Sequence, residues 1–366
     1  MKKILIYGIG AYAAGMGRTL ERNTKNKIIY WVPINTSEDV KLFVELSQNS
    51  AEAVQNLPHK ISMPSGAEYI ADIGTIREAD IALVAVAAKY AGTKDWLCKR
   101  ICDWIVYADC QPILVMLSKG FDPDSNIPLG MAWAKKLEER TGGKAKFAAL
   151  SGPTFAHDLA EGKSCAASIA SCDPVVIRAI KRIFRKTNLR LIGTDDIIGV
   201  SLGGCLKNVG AIGDGYMDVV APSEELPKYR RMWLGEMKTI LDFFGAAERT
   251  LHSPAVKDDF LYTVSGFSRN REFGRFIAGA KTYFKDDDGK YRSRAEIEEV
   301  ARANTVEGFE SVRVLYKIAQ ENSLRVPLLY GIYALACLGA CPPRLFYTIW
   351  YQNAKTRHEN KRTKEA

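Results

Sequence analysis

Apolar positions in the first half of the chain follow two alternating patterns. Short runs are apolar at successive positions: KILIY (3–7), KIIYWV (27–32), IALVAVA (81–87), PILVML (112–117), KFAAL (146–150) and CAASIA (165–170). Such runs suit strands covered on both faces, as in a largely parallel sheet. Between them lie AAGMGRTLERN (13–23), DWLCKRICDWIV (95–106) and GMAWAKKLEERTG (130–142), which read as amphipathic helices. The alternation predicts a doubly wound α/β layer. After LRLIGTDD (189–196) strand-like runs become scarce. Helical patterns then dominate, at 199–220, 228–247, 270–281, 295–321 and 326–338. The change sets a domain boundary near Gly193, followed by a mostly α-helical domain.

Length agrees with this division, since 366 residues of 47% apolar and 25% charged content can build about two cores. The formal charge of +9 is moderate. Part of it sits in the last twelve residues, KTRHENKRTKEA, with five Lys/Arg against two Glu. We read residues 351–366 as a basic, solvated tail and expect no nucleic-acid partner. The eight cysteines (98, 102, 110, 165, 172, 205, 337, 341) lie mostly in apolar runs and form no CxxC pair. They read as buried free thiols of a reducing compartment, and the location expected is cytoplasmic. The uncharged run Val326–Pro343 contains Gly331 and Gly339 and ends in Pro-Pro, so a buried helix is expected rather than a transmembrane segment. The four histidines (59, 157, 252, 358) are far apart, and no metal site is expected. In the charged stretch 281–292, read as a loop, Phe284 and Ala295 occupy the first and twelfth positions of a would-be calcium loop, which excludes that reading.

The first strand runs into GIGAYA, giving Gly8-x-Gly10-x-x-Ala13 between a strand and a helix. In that context the first glycine permits the tight turn and the second lets backbone amides approach a pyrophosphate. The small third residue lets helix pack on strand. The N-terminus of the helix adds unpaired N–H groups and a positive dipole end. Residues 1–192 are therefore expected to form a Rossmann-type dinucleotide-binding domain, with Gly8, Gly10, Ala11, Tyr12 and Ala13 at the cofactor. The end of the second strand reads YWVPINTSED, without the acid that holds an adenosine ribose or an Arg that holds its phosphate. NAD and NADP both remain open as the cofactor.

GVSLGGCLKNVGAIGDG (199–215) places Lys207-Asn208 in an otherwise glycine-rich, apolar helix. Either the segment is a loose surface loop, or backbone and charge are being brought close to something. Gly203 and Gly204 lie on the same helix face, one turn before Lys207. They are expected to leave room there for a nicotinamide or substrate.

Several blocks together resemble the NAD(P)-dependent glycerol-3-phosphate dehydrogenase family: LSKGF (117–121), LSGPTFAHDLAEGKSCAASIAS (150–171), IGVSLGGCLKNVGAIGDG (198–215), SRNREFG (268–274) and VEG (306–308). They run in family order from the glycine loop to about residue 338. The resemblance implies interconversion of dihydroxyacetone phosphate and sn-glycerol 3-phosphate with NAD(P)H, feeding glycerophospholipid synthesis. It implies that Lys207 is the acid/base, that Asp259 pairs with it (Asp258 being an adjacent competitor), and that Thr263 is a hydroxyl donor. Lys119 would bind and polarise the substrate. Arg269 and Asn270 would hold its phosphate, with Gly152, Thr154 and Asn208 also at the substrate and Glu307 near the cofactor. By the same resemblance residues 193–350 form the substrate and catalytic domain, and the protein is a homodimer acting on a small phosphorylated molecule.

The chain also departs from the family. Val86-Ala87-Ala88 replaces its Val-Pro-Ser turn, VVAPSEELPKYRRM follows Gly215, Val256-Lys257-Asp258 precedes the aspartate, and 281–292 is long. These differences leave two alternatives open: a dehydrogenase of a related phosphorylated hydroxy substrate, and a nucleotide-binding paralogue with reduced catalysis. The apolar LFYTIWYQ (345–352) is read as packing against the body or a second subunit.

Overall fold

Strand β1 (Lys2–Tyr7) shows why the first half folds as a layer. Successive side chains of a strand point to opposite faces. Ile4 and Ile6 join one core with Ala13, Met16 and Leu20 of α1 (Ala11–Glu21), whereas Leu5 and Tyr7 join another with Leu97, Ile101 and Trp133. Both faces are covered, so the run is apolar throughout. The computed structural model describes residues 1–34, 37–47, 61–92, 96–282, 284 and 292–339.

The remaining strands are β2 (Asn26–Trp31), β3 (Glu68–Ile70), β4 (Ile81–Val84), β5 (Ile113–Met116), β6 (Lys146–Ser151), β7 (Cys165–Ala170) and β8 (Leu189–Thr194). They form one sheet in the order β3-β2-β1-β4-β5-β6-β7-β8, parallel except between β6 and β7. Ile4 lies opposite both Ile28 and Ile81, so β1 has β2 on one side and β4 on the other. Strand order reverses there, and in such sheets ligands bind at the carboxyl end of that switch point. The expected glycine loop leaves β1 at that end.

Helices α2 (Ser37–Ser47), α3 (Ala88–Gly92), α4 (Trp96–Tyr107), α5 (Leu129–Thr141), α6 (Ala156–Glu161) and α7 (Pro174–Ile183) accompany the sheet. After Thr194 the described residues contain no strand. There follow α8 (Ile197–Val220), α9 (Leu226–Phe243), α10 (Asp259–Ser265), α11 (Arg269–Ile277), α12 (Arg294–Ala303), α13 (Glu307–Glu321) and α14 (Pro327–Tyr333). The contacts divide the chain into two units. One is Met1–Gly204 with Ser253–Ala255, and the other is Cys205–His252 with the described residues from Val256 onward. The tail 351–366, the LFYTIWYQ stretch and most of 281–292 lie outside the described residues.

Several elements differ from the sequence pattern, among them helices α2, α3, α6 and α7, which it does not predict. β3 is a short, polar Glu-Tyr-Ile paired with β2 alone, too brief for a period-two signal. α10 is one seven-residue helix entered through a π-helical turn at Pro254–Asp258. The pattern at 295–321 is two helices, because Thr305 turns the chain with a φ of +51° that a β-branched residue rarely adopts. Seven described cysteines are free thiols, and burial pushes Cys337 up to about 12, which suppresses its thiolate. Among the described residues no helix is long and apolar enough to cross a membrane.

The glycines of α8 serve close packing in the second unit. A Cβ at Gly210 would overlap the Trp233 indole, and one at Gly213 the Tyr229 phenol, both from α9. A Cβ at Gly215 would overlap the main-chain carbonyl of Arg271, and one at Gly274 that of Ile212, so α8 and α11 meet backbone to backbone. Behind α9, the buried Glu236 accepts from Leu328 N at 2.7 Å and Leu329 N at 2.9 Å, closing the N-terminus of α14. A carboxylate on two otherwise unpaired helix donors makes charge-assisted bonds. Glu236→Ala is expected to cost about 3 kcal/mol, and Glu236→Gln less, because one acceptor remains. Thermal midpoints by circular dichroism check this order.

Candidate functional site

The glycine loop is built from the end of β1. Gly8 has a φ of +119°, and a Cβ there would lie 2.5 Å from the Ala85 carbonyl oxygen after β4, so a side chain is excluded twice over. Gly10 then caps α1 without a side-chain hydrogen bond, and no acidic residue stands in the first turn of the helix. The N–H groups and positive dipole end of α1 therefore meet no neutralising carboxylate on that helix. This cradle fits the diphosphate of a dinucleotide, and Gly8, Gly10, Ala11, Tyr12 and Ala13 would hold it. At the end of β2, Trp31 and Val32 are buried and followed by Pro33 and Ile34, with no carboxylate at 31–34.

The block after β6 joins this loop. Tyr12 Oη and Thr154 Oγ1 are 2.9 Å apart, and the Thr154 hydroxyl also donates to the Gly152 carbonyl at 3.1 Å. A Cβ at Gly15 would press on the Ala156 carbonyl at 2.5 Å, so α1 and α6 are in close contact. Gly152 and Thr154, expected at the substrate, are thus tied to the residues expected at the cofactor. His157 and Asp158 lie in the first turn of α6.

Lys119 follows β5, and its methylenes lie where a Cβ of Gly204 would be, at 2.7 and 2.8 Å. Ser151 Oγ is 3.1 Å from the same point, buried and without a hydrogen-bond partner among the described residues. The space beside Gly204, expected to admit a nicotinamide or substrate, is filled by the lysine stem.

Lys207 is 7% exposed, and its Nζ donates to Asp259 Oδ1 at 2.7 Å and to Thr263 Oγ1 at 3.1 Å. Asp259 and Thr263 stand one turn apart on α10, hence on one face. Both are 1% exposed, whereas Asp258 points to solvent. Between the two adjacent aspartates, the structure selects Asp259 for the amine. Removing one partner of such a buried pair costs about 3–5 kcal/mol.

A second chain of hydrogen bonds begins at the next residue. Asn208 Nδ2 donates to Glu307 Oε2 at 3.2 Å, and Asn270 Nδ2 donates to Asn208 Oδ1 at 3.0 Å. Asn270 Oδ1 accepts from Gly308 N at 2.9 Å. Arg269, half-buried, donates through Nη1 to the Asn304 carbonyl at 3.2 Å, just before the strained Thr305. Helices α8, α11 and α13 are thereby joined at Asn208, Asn270 and Glu307. Ser268 starts α11 by accepting from Arg271 N at 3.4 Å, which orients the Arg269-Asn270 pair.

Sequence profiles of NAD-dependent glycerol-3-phosphate dehydrogenase match the chain twice, the N-terminal profile over residues 3–176 and the C-terminal profile over 196–346. The chain belongs to the NAD-dependent glycerol-3-phosphate dehydrogenase family. It is 29% identical over 348 residues to the glycerol-3-phosphate dehydrogenase [NAD(P)+] of Francisella tularensis subsp. novicida, covering 93% of this chain and 95% of that protein. The enzyme of the same name from Ralstonia nicotianae is 24% identical over 359 residues, with 96% and 98% covered. The crystal structure of the Coxiella burnetii glycerol-3-phosphate dehydrogenase superimposes with a TM-score of 0.76 at 22% identity, covering 95% of this chain and 98% of that one. The fold is thus the family's, over essentially the whole chain.

Sequence reasoning missed Asp214, which is completely buried, and the arginines around it. A carboxylate inside GAIGDG, flanked by apolar and small residues, was the available signal, since such a group is rarely buried unpaired. Among the described residues no group of three or more His, Cys, Asp or Glu is arranged to hold a metal. Gly8→Ala is expected to cost about 1–3 kcal/mol through strain and the Ala85 contact. A thermal melt of the variant measures it.

Proposed function

We propose that the chain interconverts dihydroxyacetone phosphate and sn-glycerol 3-phosphate with NAD(P)H. The observation that carries this reading is the buried Lys207 amine, held between Asp259 and Thr263 in a chain that matches both family profiles. When the diphosphate of the dinucleotide is bound on the Gly8–Ala13 loop, its reduced nicotinamide would supply the hydride. Lys207 gives its proton to the ketone oxygen as charge develops there, and in the reverse direction takes it from the alcohol. Asp259 fixes the amine and stabilises its charge, and the Thr263 hydroxyl, accepting a second amine proton, limits its rotation. The Arg269 guanidinium, with four further N–H donors besides the one spent on Asn304, is suited to bidentate recognition of phosphate oxygens. Lys119 adds positive charge for the substrate.

The reading extends to a cytoplasmic location, which the free thiols support, and to a homodimer, which sedimentation velocity of the purified protein would test. The absorbance of the reduced nicotinamide follows the reaction directly. Dihydroxyacetone phosphate is expected to oxidise NADH, NADPH or both, and nucleotide binding without turnover of any ketone phosphate would overturn the proposal.

Lys207→Ala is expected to lower kcat by about 10²- to 10⁴-fold while leaving NADH binding measurable by fluorescence titration. Near-wild-type kcat would remove Lys207 from the acid/base role. Arg269→Ala is expected to raise KM for dihydroxyacetone phosphate by about 10- to 100-fold, the loss of one or two charge-assisted bonds. Steady-state kinetics with the ketone phosphate as variable substrate reads it, and an unchanged KM would put the phosphate elsewhere.

A further inference from the structure

Asp214 lies seven residues beyond Lys207 on α8, two turns along and within about 20° of the same face. It is 0% exposed. Two arginines from different helices converge on its carboxylate. Arg230 of α9 donates through Nε to Oδ2 at 2.6 Å and through Nη2 to Oδ1 at 3.2 Å, and Arg271 of α11 donates through Nε to Oδ1 at 2.9 Å.

Each arginine reaches onward. Arg230 Nη2 also donates to the Val264 carbonyl at 3.4 Å. Val264 belongs to the last turn of α10, where carbonyls lack helical partners and a cation meets the negative dipole end. It follows Thr263 directly and stands five residues after Asp259. Arg271 Nη2 meets Asp218 Oδ1 at 2.9 Å, and Asp218 also receives Arg275. Arg271 follows Asn270 directly and stands two residues after Arg269. Burial works against the Arg271 charge, and the Asp214 bond with the attraction of Asp214 and Asp218 reverses this, leaving the guanidinium above its ordinary pKa.

We propose that Asp214 is a positioning residue: through Arg230 it sets α10, and with it Asp259 and Thr263 against the Lys207 amine, and through Arg271 it sets the start of α11, and with it Arg269 and Asn270. The proposal rests on the function argued above. One carboxylate, rigidly placed on the helix that carries Lys207, thereby aligns the partners of the amine and the ligands of the phosphate by separate arms. Sliding or rotating either helix breaks charge-assisted bonds to a group that cannot turn to water.

The two arms predict different kinetic defects. Arg230→Met is expected to lower kcat for dihydroxyacetone phosphate reduction by about 10- to 100-fold with little change in KM, the size of effect that an ångström of misplacement produces. Arg271→Met is expected to raise KM by a similar factor with little change in kcat, and Asp214→Asn to do both. Arg230→Lys and Arg271→Lys, which keep charge but lose the fork, should show the same split at smaller amplitude, and they stand in if the Met variants fail to fold. Variants that lower the thermal midpoint but keep wild-type kinetics, or that shift kcat and KM in the same proportion in both arms, would overturn the proposal.

If the wild-type protein turns over no dihydroxyacetone phosphate, the functional reading falls, and hydrogen exchange by mass spectrometry reads the positioning by itself. Arg230→Met should then accelerate exchange across 259–265 more than across 269–277, and Arg271→Met the reverse. Equal acceleration in both segments would sink the proposal.

Discussion

A buried ammonium needs an anion beside it, and the second unit is arranged around meeting that need for Lys207. The lysine side chain is only 9% exposed, so Asp259 must be brought to the amine, and with Asp259 comes the whole of α10. The π-helical turn at Pro254–Asp258 decides which aspartate arrives, since adjacent residues on a helix face directions about 100° apart. Thr263 follows at the next turn of the same face and gives the amine a second partner. A lysine held in this way keeps its direction. The proposed proton transfer to a developing oxyanion needs that direction.

Three polar residues of α8 are answered by four other helices: Lys207 by α10, Asn208 by α11 and α13, and Asp214 by α9 and α11. Asn270 contributes both its oxygen and its nitrogen, one to the start of α13 and one to Asn208. The bonds of Lys207 to Asp259 and of Asn270 to Asn208 and Gly308 are buried and the others half-buried, so each is worth more than on a surface and costs more when broken. They also explain how Thr305 can hold a positive φ. The turn is fixed from one side by the Asn304 carbonyl on Arg269 and from the other by Gly308 on Asn270, and strain of this kind persists only where surroundings over-determine it.

Much of the first unit was legible because its signals are local. The two-sided apolar runs gave the strands, and Gly8-x-Gly10-x-x-Ala13 between a strand and a helix gave the loop, since both patterns are complete within about ten residues. β3 was not legible, because a three-residue edge strand carries no period. Lys207 stood out as a charge in an apolar helix, whereas the choice between Asp258 and Asp259 depended on the phase of a turn that sequence does not display. The ion pairs of Asp214 were hidden for a different reason. Arg230 and Arg271 stand 16 and 57 residues away, and neither looks unlike an exposed arginine until the helices are packed.

The glycines of α8 bring these observations together. Six of its 24 residues are glycine, at a helix cost of roughly 3–6 kcal/mol relative to alanine. Room for a ligand does not account for four of the six, because the places of their missing Cβ atoms are taken by Lys119, Trp233, Tyr229 and the Arg271 main chain. Close approach does. Helices carrying ordinary side chains pack with axes 8–10 Å apart, and short side chains such as Asp and Asn bridge little of that distance. Bare backbone at Gly215 and Gly274 lets α11 come near enough for Asp214 and Asn208 to reach Arg271 and Asn270 directly. The glycines therefore belong to the polar network as much as the aspartates do. They set the separation at which its short hydrogen bonds can form.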